Sequence, residues 1–479
     1  MGSKHTNSRQ VAFLTLLEID KHQTYTDVAL ERILNQFVLE TRDRSLVNQL
    51  VYGVIRHQRS LDALIDILGK KKAHQQPPQL RRIFHLGLYQ LRYLNQIPAS
   101  AAVNTSVELA VLNGLGKLKG VVNGVLRNYL RQSEQKDILA LESHLAPDNN
   151  QDLESVAQSQ SLASLTKAEI AQLGIFYSFP DWIIANWLEQ LPLSEVHHLL
   201  GWFNQPGKIE IRVNRLQTSV DEVASALEDV GVKLTKLERV PQGLRIESGA
   251  GNIRSLPGYK EGWWMVQDSS AQLVSHLLDP QPGEMIVDLC AAPGGKSTHI
   301  AELMEDQGTI WACDRSATRL KKVAENVHRL QLNSIKALAT EGLSLERFRN
   351  QADRILVDAP CSGLGTLHKR PDIRWRQNPQ KIAELITLQK NLLNQAATLV
   401  KPQGILVYAT CTLNMQENEA IIQSFLEEHQ TWKLVAPPEK IGNDQKILDQ
   451  KWLKIYPHQY NMDGFFMAKL IRTSEYDLS

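Results

Sequence analysis

Apolar residues in the first 131 positions recur every three or four residues, which is the spacing of amphipathic helices. One apolar stripe spans residues 11–19, and others begin near residues 46, 61 and 83. Strand-like alternation of apolar and polar residues is scarce in this region. The pattern therefore predicts a small all-α bundle over residues 1–131.

Residues 132–262 differ from the bundle in composition and pattern, and they fall into two parts. Residues 132–165 are rich in Gln, Ser, Asp, Asn and Glu, so they are predicted to form a flexible linker or an insertion. Residues 166–262 combine helical patterns with an alternating strand, Ile209–Val213, and further strands are expected near 232–239 and 243–247. This combination predicts a small α+β subdomain.

The remaining residues, 263–479, alternate strand-like and helix-like patterns. Buried strands are predicted at 285–289, 309–313, 335–339, 354–358 and 404–409, and short strands are predicted near 452–456 and 465–471. Amphipathic helices separate most of them. This alternation predicts a doubly wound α/β sheet of about seven strands, whose last strands run antiparallel.

The stretch Met285–Lys296 joins a predicted strand to a helix through a turn of small residues, MIVDLCAAPGGK, and Ser297 and Thr298 are predicted to cap that helix. A phosphate loop would need glycine at position 290, which is cysteine, and the dinucleotide motif G-x-G-x-x-G is absent. S-adenosylmethionine is therefore the favoured ligand, with Asp314 after the second strand as the acid for its ribose hydroxyls. An ordinary α/β turn with an acid placed by chance stays open as the alternative.

Composition narrows the class of protein. The chain has 479 residues, of which 43% are hydrophobic and 22% charged, and this is ordinary for a globular protein of two or three domains. No apolar run reaches the roughly 18 residues of a membrane span. Residues 1–10 are polar and lack the apolar core of a secretory signal. A cytoplasmic location without a membrane partner is therefore expected.

Charge is unevenly distributed, although the net charge is only +1. Residues 1–131 hold 18 Lys and Arg against 9 Asp and Glu, whereas residues 132–170 hold two against seven. The basic module predicts attraction to nucleic-acid phosphates. A solvated face of the bundle explains the same residues equally well.

Four cysteines, none of them in a C-x-x-C pair, give no expectation of a metal site. Cys361 and Cys411 each follow a predicted strand, and Asp358 lies three residues before the first, in DAPCSG. Because the carboxyl ends of parallel strands meet at one edge of a sheet, both thiols are predicted beside the turn at 290–296. Two thiols and an acid near a methyl donor suit methylation of pyrimidine carbon 5, for which a thiolate must add to carbon 6.

The motifs DLCAAPGGKSTHIAELM, DAPCSGLGTLHKRPDIRW, ATCTLNMQENE and DGFF resemble those of the RNA 5-methylcytosine methyltransferase family. The N-terminal bundle resembles the RNA-binding antitermination factor NusB. The resemblance implies a multidomain protein with an all-α NusB-like bundle, a small α+β RNA-binding subdomain and a C-terminal methyltransferase domain. That last domain is expected to be a Rossmann-like α/β fold with a seven-stranded sheet that binds S-adenosylmethionine. The polar tract 132–165 has no counterpart in the resemblance.

The resemblance also implies roles for single residues. Cys411 matches the nucleophile, Cys361 the second cysteine that assists proton removal and product release, and Asp358 the acid beside the target base and the cofactor. Asp314 matches the ribose acid, and Glu341 stands where the family usually has an aspartate near the adenine amine. The cofactor turn comprises Cys290, Ala291, Ala292, Pro293, Gly294, Gly295 and Lys296.

The implied reaction is transfer of a methyl group from S-adenosylmethionine to carbon 5 of a cytosine in small-subunit (16S) ribosomal RNA, through a covalent cysteine adduct. The RNA is expected to be bound before subunit assembly is complete, by a monomeric protein. Transfer RNA as the substrate, and an RNA-binding assembly factor without catalysis, stay open as alternatives. The basic and aromatic stretch His368–Trp375 is predicted to hold the RNA backbone and stack a base, with a plain surface loop as the alternative.

Overall fold

The computed structural model describes residues 7–147, 165–340, 345–438 and 451–473. They form two units: a helical unit of residues 1–205 with 370–376, and a sheet unit of residues 206–369 with 377–479. The predicted domain boundaries at 131, 165 and 262 stay a prediction. Among the described residues, no helix combines the length and apolarity needed to cross a bilayer.

The helical unit confirms the predicted all-α bundle. Apolar residues of the predicted stripes, such as Val11, Leu50 and Leu64, are fully buried in one core. Its helices are α1 Ser8–His22, α2 Thr26–Leu34, α3 Thr41–Arg56, α4 Gln58–Leu68, α5 Pro78–Tyr93, α6 Ala99–Leu112, α7 Lys119–Ser133, α8 Lys167–Tyr177, α9 Asp181–Leu188 and α10 Leu193–Phe203. The start of α8 follows local chemistry, because Thr166 and Glu169 form a capping box there.

The segment 370–376 also packs within the helical unit. Arg374 is fully buried, and it donates hydrogen bonds to the carbonyl oxygens of Arg56 (3.2 Å) and Ser178 (3.1 Å). Trp375 is half-buried, and its indole N–H donates to the carbonyl of Ile55 (2.7 Å). The prediction that the stretch His368–Trp375 contacts RNA is therefore wrong for Arg374, whose side chain is used in packing, and it stays a prediction for Trp375.

A small antiparallel sheet opens the sheet unit, in the order β2-β3-β1-β4, with one helix packed on it. Its elements are β1 Ile209–Val213, α11 Val220–Glu228, β2 Lys233–Lys236, β3 Gly243–Ser248 and β4 Trp264–Val266. Strand β4 was not predicted, and it pairs with β1 through Ile211 and Val266. Ile211, Leu244 and Trp264 are buried at the centre of its core, which confirms the small α+β subdomain.

The large sheet confirms the predicted α/β architecture, although its described residues form eight strands where seven were predicted. Its strand order is β10-β12-β9-β8-β5-β6-β7, with a further short strand, β11, paired beside β12. Strands β5 to β9 are parallel, and β12 returns antiparallel to β9. The elements are α12 Ser269–Leu278, β5 Met285–Leu289, α13 Gly295–Leu303, β6 Thr309–Asp314, α14 Ala317–Arg329, β7 Ile335–Ala339, β8 Ala352–Asp358, α15 Ile373–Arg376 (a short helix in segment 370–376 of the helical unit), α16 Pro379–Leu399, β9 Val400–Thr410, α17 Glu419–Glu428, β10 Trp432–Val435, β11 Leu453–Ile455, α18 Pro457–Tyr460 and β12 Phe465–Arg472.

Strand order brings the predicted chemistry to one edge of this sheet. Strand β5 lies between β6 and β8, and β8 lies between β5 and β9. The carboxyl ends of β6, β5, β8 and β9 therefore follow one another along the edge, where ligands bind in open parallel sheets. Asp314, the turn after Leu289, Asp358 and Cys411 all stand at or just beyond those ends.

Candidate active site

The turn between β5 and α13 is shaped by two left-handed backbone positions, Cys290 (φ 65°) and Gly294 (φ 96°). Helix α13 begins directly after Gly294, which has no side chain to cap it. The predicted caps do something else: the Ser297 hydroxyl donates to Asp288 (2.5 Å), and the Thr298 hydroxyl donates to the carbonyl of Gly294 (2.9 Å). The capping prediction is thus wrong, and the glycine leaves the helix N-terminus open to a ligand.

Asp314 is buried at the end of β6 and faces the same turn. Its carboxylate accepts hydrogen bonds from the backbone N–H of Ser316 (2.8 Å) and of Ala292 (3.3 Å). The guanidinium of Arg319 lies 3.2 Å from that carboxylate and also donates to the carbonyl of Ala292 (2.6 Å). The structure therefore joins the predicted ribose acid to the predicted cofactor turn.

Lys296 and Asp358 form an ion pair, with the ammonium nitrogen 2.6 Å from a carboxylate oxygen. Burial lowers the pKa of Lys296, but the Asp358 carboxylate, together with Cys411 and Asp288, raises it, and the net shift is upward. The ammonium also lies 5.1 Å from the ring centroid of Phe465, in the DGFF motif. Lys296 thus stays charged beside the predicted acid.

The sulfur atoms of Cys361 and Cys411 are 3.4 Å apart. Strands β8 and β9 are neighbours in register, with Asp358 opposite Ala409, so the loops that follow them meet. The contact with the second thiol and then burial raise the pKa of Cys361 well above its ordinary value. The two thiols that sequence analysis selected are therefore one pair.

The other two cysteines have a different character. Burial raises the pKa of both Cys290 and Cys313 to about 12, so their thiols stay protonated. Glu341, the predicted adenine-side acid, lies outside the described residues, and its role stays a prediction.

Two supporting residues were missed by sequence reasoning. Arg212, on β1, donates to the carbonyl of Gly295 (2.7 Å) and to both carboxylate oxygens of Glu302 (2.9 and 2.7 Å). Glu417 contacts the loops of both reactive cysteines. The only sequence signal for Glu417 was its place in the motif ATCTLNMQENE, and Arg212 had none because its partners lie far along the chain.

Asp288 is a fully buried carboxyl group in β5, next to the cofactor turn. Burial is the main cause that raises its pKa to about 7, and one of its oxygens has no hydrogen-bond partner among the described residues. In the unfolded chain this carboxyl ionises near pH 4. Stability from this group is therefore fully present below pH 4 and is lost as the pH rises through 7.

Asp288→Asn is expected to flatten that pH dependence, because an amide cannot ionise. Chemical denaturation at pH 5 and pH 8 measures the change, and the full effect between pH 4 and 7 is on the order of 4 kcal/mol. Asp221→Asn, at a position whose side chain is 81% exposed, is the control. Equal pH dependence in the wild-type protein and Asp288→Asn would contradict the assignment.

Three family models match the chain. The model described as 16S rRNA methyltransferase RsmB/F matches residues 275–471. The NusB family model matches residues 6–131, and an RsmF/B-like ferredoxin-like domain matches residues 179–253. Together they match most of the helical unit, of the small sheet and of the large sheet.

Similar proteins match along nearly their whole length. A Synechocystis protein named probable ribosomal RNA small subunit methyltransferase B is 47% identical, covering 97% of this chain and 99% of that relative. A Serratia proteamaculans protein named ribosomal RNA small subunit methyltransferase B is 33% identical, again covering 97% and 99%. Among solved structures, that of PH0851 has a TM-score of 0.76 at 28% identity and covers 97% of this chain and 99% of its own.

Proposed function

Because the chain belongs to the 16S rRNA methyltransferase RsmB/F family, whose members use S-adenosylmethionine, we propose that it methylates carbon 5 of a cytosine in small-subunit ribosomal RNA. The observation that carries this proposal is the pair of sulfurs 3.4 Å apart, Cys361 and Cys411, on the same sheet edge as the Lys296–Asp358 pair. Methylation of an exocyclic amine or a ribose hydroxyl needs no such thiol pair. Carbon 5 of cytosine needs a covalent nucleophile.

The residues of the turn fit S-adenosylmethionine. The turn offers small side chains and an open helix N-terminus at Gly294, while the Asp314 carboxylate suits a ribose diol. Lys296 and Asp358 would border the methionine end of the ligand. When bound, the cofactor supplies an electrophilic methyl group.

The proposed chemistry uses the two thiols in different steps. The Cys411 sulfur, as thiolate, forms a bond to carbon 6 of the cytosine, and the ring electrons shift towards carbon 5, which takes the methyl group. A base then removes the proton from carbon 5, and the electron pair of that C–H bond expels the Cys411 thiolate from carbon 6. Cys361, whose sulfur lies 3.4 Å away, would assist this step by passing its thiol proton to the departing Cys411 sulfur and, as the thiolate that remains, taking up the proton from carbon 5.

Asp358 and Lys296 would stabilise the ring while it is attached to Cys411. A carboxyl group at Asp358 can contact ring nitrogen 3 and the exocyclic amine, where charge develops. Lys296 holds that carboxyl group through a 2.6 Å contact. The target base must leave its stack, or already be unpaired, to reach both groups.

The names of the relatives favour ribosomal RNA over transfer RNA as the substrate. The NusB-like bundle, with its excess of basic residues, favours RNA that is still accessible before subunit assembly is complete. We propose that the enzyme binds this RNA as a monomer. An assembly factor without catalysis would have no need for the paired thiols or the Lys296–Asp358 contact.

Methyl-labelled S-adenosylmethionine tests the proposal with three substrates: protein-free small-subunit ribosomal RNA, assembled small subunits and transfer RNA. Label is expected in protein-free ribosomal RNA, at one cytosine that becomes resistant to bisulfite conversion. Label only in transfer RNA would make the substrate wrong. Labelled RNA without a bisulfite-resistant cytosine would make the target atom wrong, and no label would favour the assembly factor.

A further inference from the structure

The loops that carry Cys361 and Cys411 share a single buried carboxylate. Glu417 ends a 3-10 turn, Met415–Glu417, and is fully buried. One of its oxygens accepts hydrogen bonds from the backbone N–H of Ser362 (2.8 Å) and from the Gln389 amide (3.0 Å). The other accepts from the hydroxyl of Ser362 (2.5 Å).

Ser362 and Thr412 directly follow the two cysteines in the chain. Their hydroxyl oxygens lie 2.8 Å apart, and the Thr412 hydroxyl lies 3.4 Å from the Glu417 carboxylate. The carboxylate therefore contacts one residue of each cysteine loop, and each of these residues is the direct neighbour of a cysteine in the chain. Charge-assisted hydrogen bonds of this kind are among the stronger ones in proteins.

The turn that carries this carboxylate is itself held by hydrogen bonds with β9, with α16 and with the Cys411 loop. The Tyr408 hydroxyl of β9 donates to the backbone carbonyl of Glu417 (2.7 Å). The Gln389 amide of α16 donates both to the carboxylate and to the carbonyl of Pro360 (2.9 Å), which precedes Cys361. Asn418, the next residue, donates to the carbonyl of Thr412 (2.9 Å). The turn is thus fixed against both cysteine loops.

Glu417 also acts on the Cys361 thiol by charge. Its negative charge contributes to the rise in the pKa of Cys361, after the effects of Cys411 and of burial. Burial raises the pKa of Glu417 too, although the hydrogen bonds from Ser362 and Gln389 oppose that shift. Hydrogen bonds thus link Glu417 to both cysteine loops, and its charge acts on Cys361.

We propose that Glu417 is a positioning residue that fixes the distance between the Cys361 and Cys411 sulfurs by holding Ser362 and Thr412. Its catalytic consequence rests on the proposed function, since only a reaction that uses both thiols is sensitive to their separation. The effect of Glu417 on the distance between the sulfurs does not depend on the proposed function. The experiment therefore measures the thiol pair directly and needs no RNA.

Diamide, an oxidant that accepts the two thiol hydrogens as a disulfide forms, reports the separation of the sulfurs. The full-length protein is treated with it, and peptide mass spectrometry without reduction measures the rate at which Cys361 and Cys411 become linked. Cys290 and Cys313 serve as internal controls. Wild-type protein is expected to link quickly, and Glu417→Ala at least about tenfold more slowly.

Two further variants separate position from charge. Glu417→Gln keeps groups that can hydrogen-bond both hydroxyls, so its linking rate is expected to stay near that of the wild type, while the pH dependence of linking shifts to lower pH because the negative charge is lost. Ser362→Ala removes one of the held hydroxyls and is expected to fall between wild type and Glu417→Ala. Glu427→Ala, at an exposed position in the next helix, is the matched control.

The outcomes distinguish the two proposals. If Glu417→Ala folds and its cysteines link at the wild-type rate, the positioning role is wrong. If Glu417→Ala does not fold, the positioning role is wrong when both Ser362→Ala and Glu417→Gln link at the wild-type rate at every pH. Slow linking in Glu417→Ala would support it even if no RNA is methylated, in which case only the proposed function fails. With methylation established, slow linking is expected to accompany a lower kcat with little change in KM.

Discussion

Cys411→Ala is expected to abolish methyl transfer to RNA, by about 10⁴-fold or more, because the thiolate that adds to carbon 6 is lost. Transfer from labelled S-adenosylmethionine to RNA measures the loss. Binding of RNA and of the cofactor is expected to stay close to wild type. Cys313→Ala is the matched control, since that thiol is buried at the end of β6 and has a pKa raised to about 12.

Cys361→Ala is expected to behave in the opposite way. The Cys411 adduct still forms, because the nucleophile and Asp358 are intact, but its breakdown slows because the neighbouring thiol no longer moves a proton. A covalent protein–RNA complex should therefore persist in a denaturing gel for Cys361→Ala and be missing for Cys411→Ala. A persistent adduct in Cys411→Ala would show that the two roles are reversed.

Arg212→Met is expected to have the largest effect on stability. The Arg212 guanidinium is fully buried and paired with Glu302, so its removal leaves a buried carboxylate without its partner. Breaking such a pair costs about 3–5 kcal/mol. Chemical denaturation measures this loss, with Arg254→Met, at an exposed position of the small subdomain, as the control.

The double variant Arg212→Met/Glu302→Met separates stability from cofactor binding. Replacing both members of a buried pair by apolar residues is close to neutral, so much of the lost stability should return. Affinity for S-adenosylmethionine should not return, because the Gly295 carbonyl and the Thr298 hydroxyl still lack the donor that holds the start of α13. Wild-type stability in the single variant would contradict the role given to Arg212.

Sequence reasoning succeeded where one local rule carried the argument. Cys361 and Cys411 were paired because both follow strands of a parallel sheet, and parallel strands end at one edge. It failed where a residue elsewhere in the chain, rather than the local sequence, determines what a side chain contacts. Ser297 has the residue type of a helix cap, but Asp288, nine positions earlier, takes its hydroxyl. The side chain of Arg374 would have looked the same on an RNA-binding loop.

The long-range partners of single charged residues could not be predicted. Arg212 meets Glu302 across 90 residues, and Glu417 meets Ser362 across 55. Neither distance leaves a trace in periodicity or spacing, because a charged residue in a strand or turn is usually exposed. Burial, which makes both residues important, is visible only once the fold is known.

The placement of segment 370–376 has a practical consequence for dissecting the chain. A fragment that stops at residue 205 would contain helices α1 to α10 without the seven residues of segment 370–376 that pack in the same unit. It would expose the site now filled by the Arg374 guanidinium, whose centre lies 3.8 Å from the ring of Phe179. Work on the isolated bundle therefore calls for supplying this heptapeptide, either in trans or as a fused C-terminal extension.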